Sequence, residues 1–230
     1  MKILEMKNLK KSYPSPEGGT QTVVDIGHFS LETGEQMALA GESGSGKTTF
    51  LNLIAGILRA DEGSLTLDGQ DLESLTESQR DLLRAKTLGY IFQTFNLLQG
   101  YTALENVELG MRFGPGLDRS RALALLKRVG LEKRLQYLPR QMSVGQQQRV
   151  AVARALANHP KLVLADEPTG HLDHGRAMES LSLIQEICRE NGTALLMVSH
   201  DKEVLSRFKK VENLSRINRA AEDATQGRAK

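Results

Sequence analysis

Nine residues, GESGSGKTT at positions 41–49, constrain this chain more than any other stretch. They satisfy the pattern G-x-x-x-x-G-K-[ST], in which a glycine-rich turn leaves a strand and opens a helix. Gly41, Gly44 and Gly46 admit backbone dihedrals closed to bulkier residues, so successive N–H groups can turn inward and cradle phosphate oxygens. Glu42, Ser43, Ser45 and Thr49 complete the loop, and Lys47 adds a mobile positive charge. A helix expected over 47–56 aims its positive dipole end and unpaired N–H groups at the same anion, while the Thr48 hydroxyl is placed to ligate magnesium. Upstream, Met-Ala-Leu-Ala at 37–40 reads as the short buried strand that the motif requires. A nucleoside triphosphate is the ligand this pattern implies.

The rest of the chain reads as an α/β arrangement around that loop. Short β-prone runs are expected at 3–6, 29–31, 36–40, 64–67 and 88–92, with a loop over 14–20. Helical spacing of apolar residues takes over at 102–111, 118–129 and 144–158. A strand at 161–166, a helix over 175–190, a strand at 194–198 and a helix after Ser199 follow, and this alternation implies a parallel sheet. At 230 residues one core suffices. We therefore expect a single domain over 1–230: a core from 1–93 and 160–214, a helical subdomain at 94–159, and a frayed polar tail at 215–230.

Composition narrows the partners. Thirty basic against 28 acidic residues leave a formal charge of +2, dispersed rather than clustered, which offers no electrostatic footprint for nucleic acid. The single cysteine, Cys188, lies on an apolar stripe with Leu181, Ile184 and Ile187 and reads as helix packing. With no apolar run of membrane-spanning length and no secretory pattern, a cytosolic chain without direct membrane insertion is expected.

Phosphoryl transfer also needs a group to hold magnesium and another to orient the attacking water. Leu-Val-Leu-Ala-Asp-Glu at 162–167 offers both: Asp166 ends a buried strand where it can hold the metal shell, and Glu167 can polarise water.

Between these elements, residues 139–160 read PRQMSVGQQQRVAVARALANHP. With the motifs on either side, this segment resembles the signature region of the ATP-binding subunits of ABC transporters, where the pentapeptide usually reads LSGGQ and a helix follows. Met142-Ser143-Val144-Gly145-Gln146 occupies that place. The Ser143 hydroxyl, the approachable Gly145 backbone and the helix N-terminus at Gln146 together form a second anion site. The resemblance implies a P-loop NTPase of the ABC ATPase type: a mixed-sheet core with an antiparallel β subdomain and an inserted α-helical subdomain. It also implies a head-to-tail dimer with a second copy of the chain, in which each signature faces the γ-phosphate of ATP held by the partner's loop.

Further positions match by the same resemblance. Gln93 corresponds to the glutamine that reaches magnesium and the attacking water, joining Thr48 and Asp166 as metal contacts. His200 corresponds to the switch histidine at the γ-phosphate, residues 170–173 to the D-loop, and Tyr13 to the aromatic residue stacked on adenine. The cofactors implied are ATP and Mg2+. His171 and His174 could suggest a zinc pair, but the D-loop accounts for their position and no further ligands have suitable spacing. Val144 replaces the first glycine of the usual pair; a helical or extended backbone there makes the replacement inexpensive, and that is what we expect.

The wording at 92–107 and 164–173 is similar to the lipoprotein-releasing and macrolide-export branch of the family. That likeness implies a bacterial inner-membrane permease partner with an extracytoplasmic domain, and a peripheral place on the cytoplasmic face. A groove beside Gln93, with Phe92, Phe95, Leu97 and Leu98 as candidate lining, is expected to receive a short cytoplasmic helix of that partner. Two alternatives compete: an ATP-gated regulator of a cell-envelope process acting through a non-transporting membrane protein, and a soluble ABC protein acting on nucleic acid. The long heptad segments or paired ATPase units of the latter class do not occur here.

Overall fold

The computed structural model describes residues 1–15, 18–42 and 44–220. The chain opens on a long hairpin, β1 (Lys2–Pro14) antiparallel to β2 (Thr20–Glu32). β3 (Gln36–Ala40) leads into α1 (Lys47–Ile54), followed by β4 (Glu62–Leu67), β5 (Gln70–Asp71), α2 (Glu77–Thr87) and β6 (Leu88–Ile91). Three helices come next: α3 (Ala103–Arg112), α4 (Arg119–Arg128) and α5 (Val144–Ala155). The chain then returns through β7 (Leu162–Asp166), α6 (His174–Glu190), β8 (Ala194–Ser199), α7 (Lys202–Ser206), β9 (Lys210–Asn213) and α8 (Leu214–Ile217).

Two sheets result. One is antiparallel, in the order β2-β1-β4-β5; the other is wholly parallel, in the order β6-β7-β8-β3-β9. Apart from the exposed edge strand β9, strands of the parallel sheet are apolar on both faces, as helices or another layer on each side require. Alternation of side chains then divides them between two cores. Leu162, Leu164, Leu196, Val198, Met37 and Leu39 face the antiparallel sheet and α1, whereas Val163, Ala165, Leu195, Met197 and Ala38 face the helices. Phe50, fully buried on α1, packs edge-on against Phe29 of β2 at 5.4 Å between ring centroids. Truncating such a ring to alanine costs about 3–5 kcal/mol.

Helix starts follow local chemistry. Thr76 with Gln79, Thr102 with Glu105 and Ser143 with Gln146 each form a reciprocal capping box at α2, α3 and α5, and Asp118 and Asp173 cap α4 and α6. The loop before α3 is held by buried Asn106, which accepts from the Leu98 N–H and donates to the carbonyls of Leu98, Tyr101 and Thr102.

Several expectations need correction. β1 and β2 each run 13 residues, far beyond the short runs expected at 3–6 and 29–31, because their outer halves are polar on the solvated side and carry little apolar signal. The segment 77–87, lying among the expected β-prone runs with no helix expected there, is helical, and its Thr76/Gln79 capping box is the legible sign. The tail does not begin at 215: Leu214, Asn218 and Ala220 are buried, and the Asn218 side chain accepts from the Asp25 N–H and donates to the Val23 carbonyl. Residues 221–230 lie outside the described residues, as does Ser43. The parallel sheet, the antiparallel sheet beside it and the helices between β6 and β7 agree with the expected α/β core, antiparallel β subdomain and inserted helical subdomain.

Candidate nucleotide site

Because β3, β8 and β7 are neighbours, their carboxyl ends bring three distant segments together: the loop after Ala40, His200 after Ser199, and Asp166 with Glu167. Ligands of open α/β sheets bind at such strand ends. The loop turns through Gly44 and Gly46, at φ +81° and +88°, where an L side chain is strained. A Cβ on Gly46 would also meet the Val23 carbonyl at 3.0 Å. Gly46 is the N-cap of α1 and supplies no side-chain cap, so the first N–H groups of the helix stay available to an anion.

The cavity at this place has a volume of about 660 Å³ and is lined by Val23, Glu42, Gly44, Gly46, Lys47, Thr48, Thr49, Gln93, Asp166, Glu167 and His200. Lys47 is buried; its Nζ donates to the carbonyls of Gly41 and Glu42 at 2.9 and 2.8 Å and lies 3.0 Å from Glu167 Oε1. The other carboxylate oxygen, Oε2, is 2.7 Å from His200 Nδ1. Glu167 thus sits between two nitrogen groups, and its backbone is left-handed at φ 42°. That conformation stores about 1–3 kcal/mol, held by its N–H bond to Val198 and its carbonyl bond from Gly170. Thr48 Oγ1 donates to Asp166 Oδ2 at 3.0 Å. Burial, and then adjacent Glu167, push the Asp166 carboxyl above its ordinary range, against the opposing pull of Thr48 and Lys47.

Not every sequence candidate lies in this cavity. Gly41 and Ser45 stand behind the lining: a Cβ on Gly41 would strike Ser45 Oγ and the Lys47 stem, so glycine is what lets the lysine fold back over the loop. Tyr13, on β1 opposite Gln21, is half-buried with Lys11 Nζ 5.7 Å from its ring centroid, and it does not line the cavity. Ser143, Gly145 and Gln146 line a separate cavity of about 230 Å³ that shares no lining residue with the first. Val144 is the first residue of α5 and has no positive φ, so valine there carries no backbone strain. His171 sets its ring against Phe95, and His174 pairs with Glu203 at 3.3 Å.

A third cavity, of about 520 Å³, lies beside the Gln93 loop and is lined by Tyr90, Phe92, Phe113, Arg84, Arg154 and their neighbours. Of the four apolar residues expected there only Phe92 takes part, stacked on Tyr90 at 4.0 Å; Phe95 and Leu97 are in the core, and Leu98 is exposed elsewhere. Arg154 was legible only as part of the signature segment. Its guanidinium, desolvated by burial, donates to the carbonyls of Phe95 and Asn96, both at 2.6 Å, and so ties α5 to the loop carrying Gln93. Among the described residues no helix is long and apolar enough to cross a membrane.

A glycine-rich anion loop at a helix N-terminus, with a lysine over it and Thr48 bonded to Asp166 at the end of a strand two places away in the sheet, defines a phosphate-loop nucleoside triphosphatase. Residues 24–170 match the ABC transporter family, and the chain belongs to that family. It is 44% identical over 217 residues to the lipoprotein-releasing system ATP-binding protein LolD of Pseudomonas syringae pv. tomato, covering 92% of this chain and 94% of that one. It is 45% identical to LolD 2 of Rhodospirillum rubrum, over 89% and 90% of the two chains. Among solved structures, a dimeric post-hydrolysis state of the ATP-binding cassette MJ0796 bound to ADP and Pi superposes with a TM-score of 0.85 at 34% identity, covering 95% of each chain. A second dimeric MJ0796 structure, described as a bacterial ABC transporter cassette, gives 0.84 at 36% identity.

Proposed function

We propose that this chain is the ATP-binding and hydrolysing subunit of an ABC exporter of the lipoprotein-releasing type, working as an ATP-sandwich homodimer on an inner-membrane permease. The observation that carries the reading is the placement of Lys47, Thr48, Asp166, Glu167, Gln93 and His200 around one cavity, with the signature residues in another. Two separate half-sites support a composite site completed by a second copy.

In this reading the phosphates lie on the loop from Gly41 to Thr49, which includes Ser43, and Lys47 leaves Glu167 to meet them. Thr48 and Asp166 offer hard oxygen donors 3.0 Å apart, with Gln93 on the same cavity. These donors suit Mg2+, an ion commonly held by one or two protein oxygens together with substrate phosphates. When bound, Mg2+ neutralises charge on the phosphate oxygens. Glu167, released from Lys47, accepts a proton from the attacking water, and His200 steadies the charge that develops on the γ-phosphate. The partner's Ser143, Gly145 and Gln146 close the far side with helix N-terminal donors. Tyr13 lies outside the cavity lining but on the hairpin whose Val23 belongs to it, so an adenine stacked on Tyr13 would extend beyond the cavity.

The groove lined by Tyr90, Phe92 and Phe113 suits a short cytoplasmic helix of the permease, and in this reading the subunit is peripheral on the cytoplasmic face. Gel filtration of purified Glu167→Gln with ATP tests the site: a dimer that forms with ATP and dissolves on its removal supports it, and a monomer at millimolar ATP refutes it. Copurification with a membrane protein bearing an external domain tests the transporter assignment.

A further inference from the structure

The run Gln146-Gln147-Gln148-Arg149 at the start of α5 gives each side chain a different partner. Gln146 closes the capping box with Ser143, and Gln147 donates to the carbonyls of Pro139 and Met142. Arg149 donates to the Val129 carbonyl and pairs with Glu179 at 2.6 Å. Gln148 alone of the four reaches the catalytic strand end: it is wholly buried, and its Nε2 donates to the Pro168 carbonyl at 2.6 Å. A carbonyl can only accept, so the amide has one possible orientation. Pro168 directly follows Glu167, whose backbone is strained at φ 42°. The bonds to Val198 and Gly170 belong to the sheet and its turn, whereas the Gln148 bond comes from the signature helix.

We propose that Gln148 is a positioning residue that couples the signature of each chain to Glu167 of the same chain. The proposal rests on the composite-site reading, because there a chain's signature grips the partner's nucleotide while its Glu167 serves its own. Displacement of α5 by the partner's ATP moves the Pro168 carbonyl through Gln148, and with it the backbone that aims Glu167 between Lys47 and His200. One ATP site thereby sets the geometry of the other. The surroundings leave room for such movement: Gln148 Oε1 and Ser180 Oγ are both buried without hydrogen-bond partners among the described residues, and both residues line the cavity behind the signature together with Arg149, Arg176 and Glu179. A fully bonded, close-packed contact would resist the shift instead.

Gln148→Met keeps volume and removes the donor. The variant is expected to bind ATP within about threefold of wild type, and in the Glu167→Gln background to dimerise at similar ATP concentrations, while kcat falls about tenfold with KM little changed. Gln148→Glu provides a second readout that packing alone does not move. Its protonated carboxyl can donate to Pro168 and its ionised form cannot, so its turnover relative to wild type rises as pH is lowered from 8.5 to 6, by about threefold or more. Unchanged kcat in Gln148→Met, or a flat pH ratio in Gln148→Glu, overturns the coupling. Loss of ATP-driven dimerisation in the Gln148→Met/Glu167→Gln double variant assigns Gln148 to signature shape instead. Failure of Glu167→Gln alone to dimerise counts against the composite site, not against Gln148.

Discussion

Lys47 Nζ lies 3.0 Å from Glu167 Oε1, so the cation of the phosphate loop and the carboxylate proposed to act on water neutralise each other. Both groups are largely buried, and His200 at 2.7 Å completes the arrangement. Unpaired, either charge would be costly in this setting. In the proposed function a triphosphate replaces Glu167 as the counter-charge of Lys47, which would tie release of that carboxylate to occupancy of the loop.

Glu167→Gln removes the charge that competes for Lys47 while keeping the side chain's shape. ATP affinity is expected to stay equal or tighten by about threefold, and turnover to slow by roughly two to four orders of magnitude. Nucleotide titration and phosphate release on the purified variant measure the two. Near-normal turnover removes Glu167 from its role.

Val144→Gly restores the residue usual in the family at a position whose backbone does not need it. Monomer ATP affinity should be unchanged, and the fold should lose up to about 1 kcal/mol, since glycine adds freedom to the unfolded chain. Urea titration decides: a clear gain in stability reveals strain that the helical start of α5 does not show.

Glu5, on the exposed face of the hairpin, is held down to about 2 from 4.5 by hydrogen bonds from Lys2 and then Lys7. A depressed folded value favours the native state above the unfolded value, and that contribution is lost as pH falls through the window from 4.5 to about 2. The stability gap between wild type and Glu5→Gln should therefore be widest above pH 5 and narrow by pH 3. Added salt should shrink it as well. A gap that is constant across this range in chemical denaturation contradicts the assignment.

Phe113 is 71% exposed and lines the groove beside the Gln93 loop. Phe113→Asp should leave ATPase activity of the isolated subunit within about twofold while weakening association with the permease at least tenfold, because it puts a charge into an apolar contact. Pull-down of the membrane partner with the variant is the measurement. Undiminished capture excludes this face.

Much of the site's chemistry was legible because it is local. The turn at 41–49, the run ending in Asp166-Glu167 and the capping box at Ser143 each announce themselves within a few residues, where backbone dihedrals and hydrogen-bond reach dictate residue type. The outer halves of β1 and β2, α2 and the packed segment ending at Ala220 were read poorly. Their alternation is diluted by polar residues, or their burial depends on a surface from elsewhere in the chain.

The sequence by itself determined that a triphosphate loop, a strand-end carboxylate pair and a second anion motif share one α/β chain. Only the tertiary structure decided who meets whom. Thr48 and Asp166 are 118 residues apart yet hydrogen-bonded, Glu167 lies between Lys47 and His200, Gln148 reaches Pro168, and Tyr13 stands outside the cavity. Strand order is a property of the assembled sheet. Periodicity records only which face of each strand is buried, and cannot say which strands become neighbours.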